Sequence, residues 1–212
     1  MKNFIEKVSK STSDLRLFYQ KKIEKLSYLE KKEKSKKINQ FILTLPFLKQ
    51  SSFIGVYKAL KREPCLFDFY SQYNQRICFP VMQKTDLKFY TNPQNQWYKK
   101  KFQVEEPLPL KKNEIPLQDI SLFFIPGSLF DRLGNRIGKG IGYYDKTLSK
   151  IKLQTSPLKN TFVFNKKPLF IGVAFVEQIQ NDPISTKAHD IQMDLIITDQ
   201  FILYPFKSTK EL

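Results

Sequence analysis

The chain is poor in cysteine, histidine, tryptophan, glycine and arginine, and each shortage removes a class of explanation. Two cysteines, Cys65 and Cys78, provide neither a disulfide framework nor a four-ligand zinc site, so two buried thiols are expected. The single histidine, His189, stands in no recognisable Ser-His-Asp or Cys-His constellation. No apolar run reaches the roughly 18 residues that a membrane span needs, and Met-Lys-Asn-Phe-Ile-Glu-Lys lacks the apolar core of a signal peptide. A soluble, cytoplasmic protein is the expectation. Arginine supplies only five of the 36 basic residues, although it is the residue suited to bidentate reading of phosphates and bases. The formal charge of +16 is therefore a lysine charge, in a chain also rich in Asn, Ile, Phe and Tyr. AT-rich coding accounts for all of these together, and a nucleic-acid surface is not the expected reading. A general attraction for small anions follows in either case.

What is present is globular: 41% hydrophobic and 14% aromatic residues suffice for a substantial core in 212 residues. No internal repeat or composition break appears, so one domain over residues 1–212 is expected. Ser13 to Leu26 carries Leu15, Phe18 or Tyr19, Ile23 and Leu26 near helical spacing. Ser27-Tyr28-Leu29-Glu30 has the form of a capping box opening a second helix, with Ile38, Phe41, Ile42 and Leu45 on one face. That helix should stop before Pro46, and its Lys31–Lys37 stretch reads as a solvated face. Beyond it the pattern changes to short apolar runs: Phe53 to Tyr57, Arg76 to Met82, Ser121 to Ile125, Phe170 to Phe175 and Leu195 to Thr198. Their continuous apolar character predicts strands buried on both faces. Pro64 to Tyr73 and Tyr143 to Ile151 are candidate helices between them, which predicts an α/β sandwich with a mainly parallel sheet. The polar, proline-punctuated stretch from Thr85 to Asp119 reads as a short hairpin or as a surface excursion.

Five of the seven glycines fall between Gly127 and Gly142, directly after the Ser121–Ile125 strand. Glycine lets a backbone approach a ligand closely and adopt angles that other residues avoid. These glycines are interleaved with Arg132, Arg136 and Lys139 and bounded by Asp131 and Asp145. Backbone N–H groups in glycine turns and at a helix N-terminus form an anion site, and the basic side chains add charge-assisted bonds. Asp145 is placed to hold magnesium, which takes one or two carboxylates with phosphates and waters. The spacing matches neither a Walker P-loop nor a Rossmann fingerprint.

At these residues the chain resembles a known family. Ile125-Pro-Gly-x-x-Phe-Asp-x-x-Gly-x-Arg-Ile-Gly-x-Gly-x-Gly-Tyr-Tyr-Asp145 closely resembles the signature of the 5-formyltetrahydrofolate cyclo-ligases, with Ile137 where the family pattern has Leu. Leu15-Arg16, Tyr57 with Glu63, Ile77-Cys-Phe-Pro80, Phe102-Gln-Val-Glu-Glu-Pro107, Ala174-Phe175-Val-Glu-Gln178, His189-Asp190 and Ile197-Thr198 extend the resemblance over most of the chain. It implies a three-layer α/β/α sandwich with a helical N-terminus. It also implies an enzyme using ATP and Mg2+ to convert 5-formyltetrahydrofolate to 5,10-methenyltetrahydrofolate, releasing ADP and phosphate. The formyl oxygen would be phosphorylated, nitrogen-10 would attack the activated carbon, and phosphate would leave.

The resemblance also implies residue roles. Arg136, Gly138, Lys139, Gly140, Ile141, Gly142, Tyr143 and Tyr144 correspond to the ATP-phosphate loop, with Arg16 and Lys10 as N-terminal contacts to the nucleotide. Of these, Arg136, Lys139 and Tyr143 are the candidate catalytic residues. The folate would meet Tyr57, Glu63 and Phe102, together with Lys139, Gly140, Ile141, Gly142 and Tyr143. Asp145 and Asp190 correspond to magnesium ligands. For several of these a plainer role stands beside the functional one. Asp190 also fits a turn cap, Glu63 a cap of the following helix, and Tyr57 and Phe102 core packing. Asp131 fits catalytic-loop hydrogen bonding and turn geometry equally. The family's Lys-x-x-Leu-Arg has Thr12 at its lysine position here, with Lys10 and Lys7 nearby. The excess positive charge suits a polyglutamylated substrate on electrostatic grounds.

Overall fold

A computed structural model describes residues 11–100, 104–154 and 168–205. Two helices open it, α1 (Thr12–Glu24) and α2 (Tyr28–Leu43), and each begins with a capping box. At α2 it is the Ser27–Glu30 box read from the sequence; at α1 it is Ser11 with Asp14, which starts the helix one residue earlier than periodicity alone suggests. After Thr44 the chain tightens into a 3-10 turn, Pro46–Gln50, because proline cannot extend the helical ladder.

The remaining elements are β1 (Phe53–Gly55), α3 (Phe67–Tyr73), β2 (Ile77–Met82), β3 (Leu87–Tyr90), β4 (Tyr98–Lys99), β5 (Glu105–Glu106), β6 (Glu114–Ile115) and β7 (Ile120–Pro126). Then come β8 (Leu129–Asp131), β9 (Arg136–Ile137), α4 (Tyr143–Gln154), β10 (Leu169–Val173), β11 (Ile179–Gln180), β12 (Leu195–Ile197) and β13 (Ile202–Leu203). The main sheet runs β13-β12-β10-β7-β1-β2-β3-β6. Strands β12, β10, β7, β1 and β2 are parallel, while β13, β3 and β6 add antiparallel edges. The Thr85–Asp119 stretch thus supplies two edge strands and the small β4–β5 hairpin.

Both faces of the sheet are buried, which explains why its strands read as continuous apolar runs. On one face Leu122, Phe124, Ile171, Val173, Leu195 and Ile197 pack against Ile23, Ile38, Ile42 and Phe69 of the first three helices. On the other, Phe123, Ile125, Phe170 and Ile196 pack against Leu148 and Ile151 of α4. The result is the expected α/β/α layering. Two expectations need correcting. Cys78 is buried but Cys65 is exposed, its backbone being pinned by Ser35 and Asn39 instead. The lysine face of α2 is not wholly solvated either: Lys34 turns inward to Asp199 at 2.7 Å and Glu177 at 2.8 Å. Burial works against its charge, and the two hydrogen-bonded carboxylates outweigh it, so its pKa lies above the ordinary lysine value. Among the described residues no helix is long and apolar enough to cross a membrane.

Candidate active site

Strand order fixes where a ligand can enter. From β1 the chain passes through α3 to β2 on one side; from β7 it passes through α4 toward β10 on the other. The two helices lie on opposite faces, so the winding reverses between the adjacent parallel strands β1 and β7. A crevice opens at the carboxyl ends of strands at such a reversal. The segments leaving those two ends are Val56–Glu63 and the glycine-rich stretch.

The glycine-rich stretch is more structured than a strand, a loop and a helix. It first folds into the β8–β9 hairpin, organised by Asp131. This fully buried carboxylate accepts from the N–H groups of Leu133 (2.9 Å), Asn135 (2.8 Å) and Ile184 (2.7 Å), and from Asn135 Nδ2 (2.9 Å). Turn geometry accounts for Asp131. Gln178 supports the base of the hairpin, donating from Nε2 to the carbonyls of Gly127 and Ser128. Beyond β9, Gly140 and Gly142 hold φ of +107° and +75°, which L side chains rarely adopt. They turn the chain into α4, whose first described backbone bond runs from Lys146 N–H to Gly142 O (2.9 Å). Helix geometry leaves the N–H groups of the first turn, at Tyr143, Tyr144 and Asp145, without intrahelical acceptors.

Charged side chains converge on this turn. Arg136 is nearly buried at 3% side-chain exposure, and its guanidinium donates to Asp145 Oδ1 at 2.9 Å. Its Nε is buried with no hydrogen-bond partner, and its cation lies 5.8 Å from the Tyr144 ring centroid. Arg16 reaches across from α1, donating from Nε to the Gly138 carbonyl at 2.9 Å. From the β1 side comes Glu63. Its Oε2 accepts the Leu60 N–H (2.8 Å), closing the Leu60–Glu63 turn, and its Oε1 lies 2.5 Å from Lys139 Nζ. Glu63 does not cap the following helix, which begins at Phe67 without a side-chain cap.

Under the carboxylate lies a tyrosine layer. Tyr57 is 3% exposed and donates to the Pro64 carbonyl at 2.8 Å; Tyr70 donates to the Tyr57 carbonyl. Burial, reinforced by the charge of Glu63, pushes the phenol pKa values of Tyr57, Tyr70 and Tyr144 upward. All three therefore remain neutral hydroxyls at ordinary pH. Tyr143 is half-buried at the start of α4, packed against the α4-side core.

Asp145 Oδ1 also accepts the Ile191 N–H at 3.1 Å, which brings the backbone beside Asp190 against the loop. Asp190 itself accepts the Lys187 N–H at 2.7 Å, so it serves as a turn cap, and His189 is exposed. Among the described residues no group of three or more His, Cys, Asp or Glu side chains forms a metal cage. Asp145 Oδ1 is engaged by Arg136 and the Ile191 N–H, and Asp190 Oδ2 by the Lys187 N–H. Thr12 is exposed in the first turn of α1, and both Lys10 and Phe102 lie outside the described residues.

Two features escaped the sequence reading. Lys58, Ala59, Leu60, Lys61, Lys99 and Glu105 line a groove of roughly 320 Å³ that shares Leu60 with the Glu63 turn. Trp97 forms part of its framework: Lys58 Nζ sits 4.2 Å from its ring centroid, and the ring packs edge-on to Phe79. Single lysines in so lysine-rich a chain gave no signal.

Comparison with known proteins agrees with this fold and places the chain in a family. Residues 8–199 match the model of the 5-formyltetrahydrofolate cyclo-ligase family. A 5-formyltetrahydrofolate cyclo-ligase of Mycoplasma genitalium is 30% identical over 184 residues, covering 81% of this chain and 88% of that protein. One from Haemophilus influenzae is 26% identical, covering 74% and 82%. The NMR structure of Aquifex aeolicus 5,10-methenyltetrahydrofolate synthetase superposes with a TM-score of 0.73 at 24% identity, over 95% of each chain. The corresponding synthetase of Mycoplasma pneumoniae gives 0.66 at 24% identity, over 90% of this chain and 99% of that one. At these identities the two structures speak to the fold.

Proposed function

Because the chain belongs to the 5-formyltetrahydrofolate cyclo-ligase family, we propose that it converts 5-formyltetrahydrofolate to 5,10-methenyltetrahydrofolate at the expense of ATP. The observation that carries this reading is the meeting of two chemically different half-sites at one sheet reversal. Glu63 presents a buried carboxylate from the β1 side, and the loop around Arg136 and Lys139 presents cations and glycines from the β7 side.

Each half-site suits one substrate. A carboxylate accepts paired N–H donors, as the pterin amino and ring N–H groups provide. Tyr57 and Tyr70 stiffen the turn that carries Glu63. On the other side Arg136 and Lys139 bind phosphate oxygens, aided by the N–H groups of Gly138 to Tyr144, and Ile141 and Tyr143 contact the folate. Arg16 extends the nucleotide contact from the N-terminus. Asp145 and Asp190 would hold Mg2+, which when bound neutralises charge on the transferring phosphoryl group.

The chemistry asks for positioning more than for a nucleophilic side chain. The formyl oxygen takes the γ-phosphoryl group and ADP leaves. Nitrogen-10 then forms its bond to the formyl carbon and gives up its proton to solvent, and the carbon–oxygen bond breaks to release phosphate. Arg136, Lys139 and Tyr143 hold the phosphoryl group against the formyl oxygen and stabilise the charge that develops there. A polyglutamate tail would lie along the groove of Lys58, Lys61 and Lys99, where its carboxylates meet ammonium groups. A cytoplasmic setting belongs to the same reading, and suits two free cysteines, one of them exposed.

The test is direct. Purified protein mixed with 5-formyltetrahydrofolate, Mg2+ and ATP should form methenyltetrahydrofolate, seen as rising near-ultraviolet absorbance. Inactive wild type, or a fully active Asp145→Ala variant, overturns the reading.

A further inference from the structure

The two half-sites are tied to each other by one ion pair. Lys139 Nζ forms an ion pair with Glu63 Oε1 at 2.5 Å, and no hydrogen bond reaches that oxygen among the described residues. The partners differ in freedom. The Glu63 side chain is 4% exposed and locked through Oε2 to the Leu60 N–H, whereas that of Lys139 is 49% exposed on a loop between Gly138 and Gly140. The lysine can leave for a phosphate or for solvent; the carboxylate must stay. Oε1 is also the free face of Glu63, the one a pterin N–H would need.

We propose that Lys139 is a shared latch that couples the nucleotide and folate subsites, occupying Glu63 until one of the ligands separates the pair. The inference rests on the two-substrate reading above. Whichever substrate binds first must break the ion pair. A phosphate that draws Lys139 away breaks the one ion pair that this buried carboxylate makes among the described residues, which is unfavourable until pterin donors replace it. A pterin that takes Glu63 releases Lys139 to wait for a phosphate. The second ligand meets a pair already broken, so each substrate tightens the binding of the other. By linkage the two effects are equal.

Calorimetric binding of 5-formyltetrahydrofolate and of an ATP analogue with a non-transferable γ-phosphate, alone and together, tests this without turnover. In wild type each ligand should lower the Kd of the other by one common factor, within the roughly 5- to 150-fold range usual for such coupling. Lys139→Gln should bind folate, without nucleotide, more tightly than wild type does, and show no coupling. Glu63→Gln keeps an acceptor for the Leu60 N–H; it should lose folate affinity yet bind the nucleotide analogue more tightly than wild type. That gain is not expected from damage to the site, and matching thermal melts would exclude misfolding. Independent binding of the two ligands in wild type overturns the latch while leaving the proposed activity standing. So does weaker nucleotide binding in Glu63→Gln. Failure of wild type to bind either ligand, even with both present, overturns the functional reading itself and the latch with it.

Discussion

Arg136 and Asp145 face each other across the glycine turn at 2.9 Å, and each is held there by the other. The arginine is nearly buried; one terminal nitrogen reaches Asp145, and its Nε has no hydrogen-bond partner. Asp145 is therefore both the candidate metal ligand and the counter-charge that makes Arg136 tolerable in the fold. Asp145→Ala should cost about 3 kcal/mol of stability, the low end for a buried pair that loses one partner. Asp145→Asn retains an acceptor for the Ile191 N–H and should melt closer to wild type, but need more Mg2+ for half-maximal activity. Denaturant curves and magnesium titrations of the two variants separate these effects. An unchanged magnesium requirement in Asp145→Asn would remove this residue from the metal site.

Arg136→Lys keeps the charge but gives up the planar fork that reaches Asp145 and has further donors for phosphate. We expect kcat to fall by about 10²-fold, the usual scale for removing one group that stabilises developing charge. Steady-state kinetics at saturating ATP decide it, and a change confined to KM would contradict a role in the transition state.

Asp131 should prove structural. Replacing it with Ala strands three backbone N–H groups together with the Asn135 amide. An expected loss of about 3 kcal/mol or more follows from leaving several buried donors unsatisfied. Chemical denaturation measures it; near-wild-type stability with lost activity would restore the catalytic alternative.

Gly172 has no room for a side chain, since an added Cβ would lie 2.7 Å from the Phe130 ring. Gly172→Ala should destabilise by about 1–3 kcal/mol through overpacking. Because the clash is in the sheet-to-hairpin core, the midpoint of denaturation should shift while the KM for ATP changes little.

Glu106 carries the pH dependence that can be read most clearly. Burial raises its pKa above 4.5, against a lowering by the Met82 N–H and Lys100. The folded state thus holds this proton more tightly than the unfolded state does. Its stabilising effect is complete below the unfolded pKa and is lost as pH rises through the folded one. Glu106→Gln stays neutral, so its stability relative to wild type should improve between pH 4 and pH 7. A difference that does not change with pH would show that the carboxyl is not desolvated as described.

Much of this protein is legible along the chain because the causes are local. Ser27 and Glu30 sit three residues apart and cap α2, and Pro46 ends it. Apolar runs become strands buried on both faces, and the spacing of Gly138, Gly140, Gly142 and Asp145 marks the turn into α4 and the family. What spacing could not show is which side chains meet. Arg16 and Gly138 are 122 residues apart, and they touch because α1 packs beside the sheet end. Lys34 looked solvated until the carboxyl end of β12 placed Asp199 beneath it. Asp131 read equally as catalytic or structural until Ile184 closed on it from the far end of the chain. Glu63 and Lys139 become partners only because β1 and β7 lie side by side where the winding reverses. Periodicity, caps and glycine angles are properties of neighbouring residues, so the sequence determines them. Strand order and ion pairing depend on how the whole chain shares one core, and only the tertiary structure decides them.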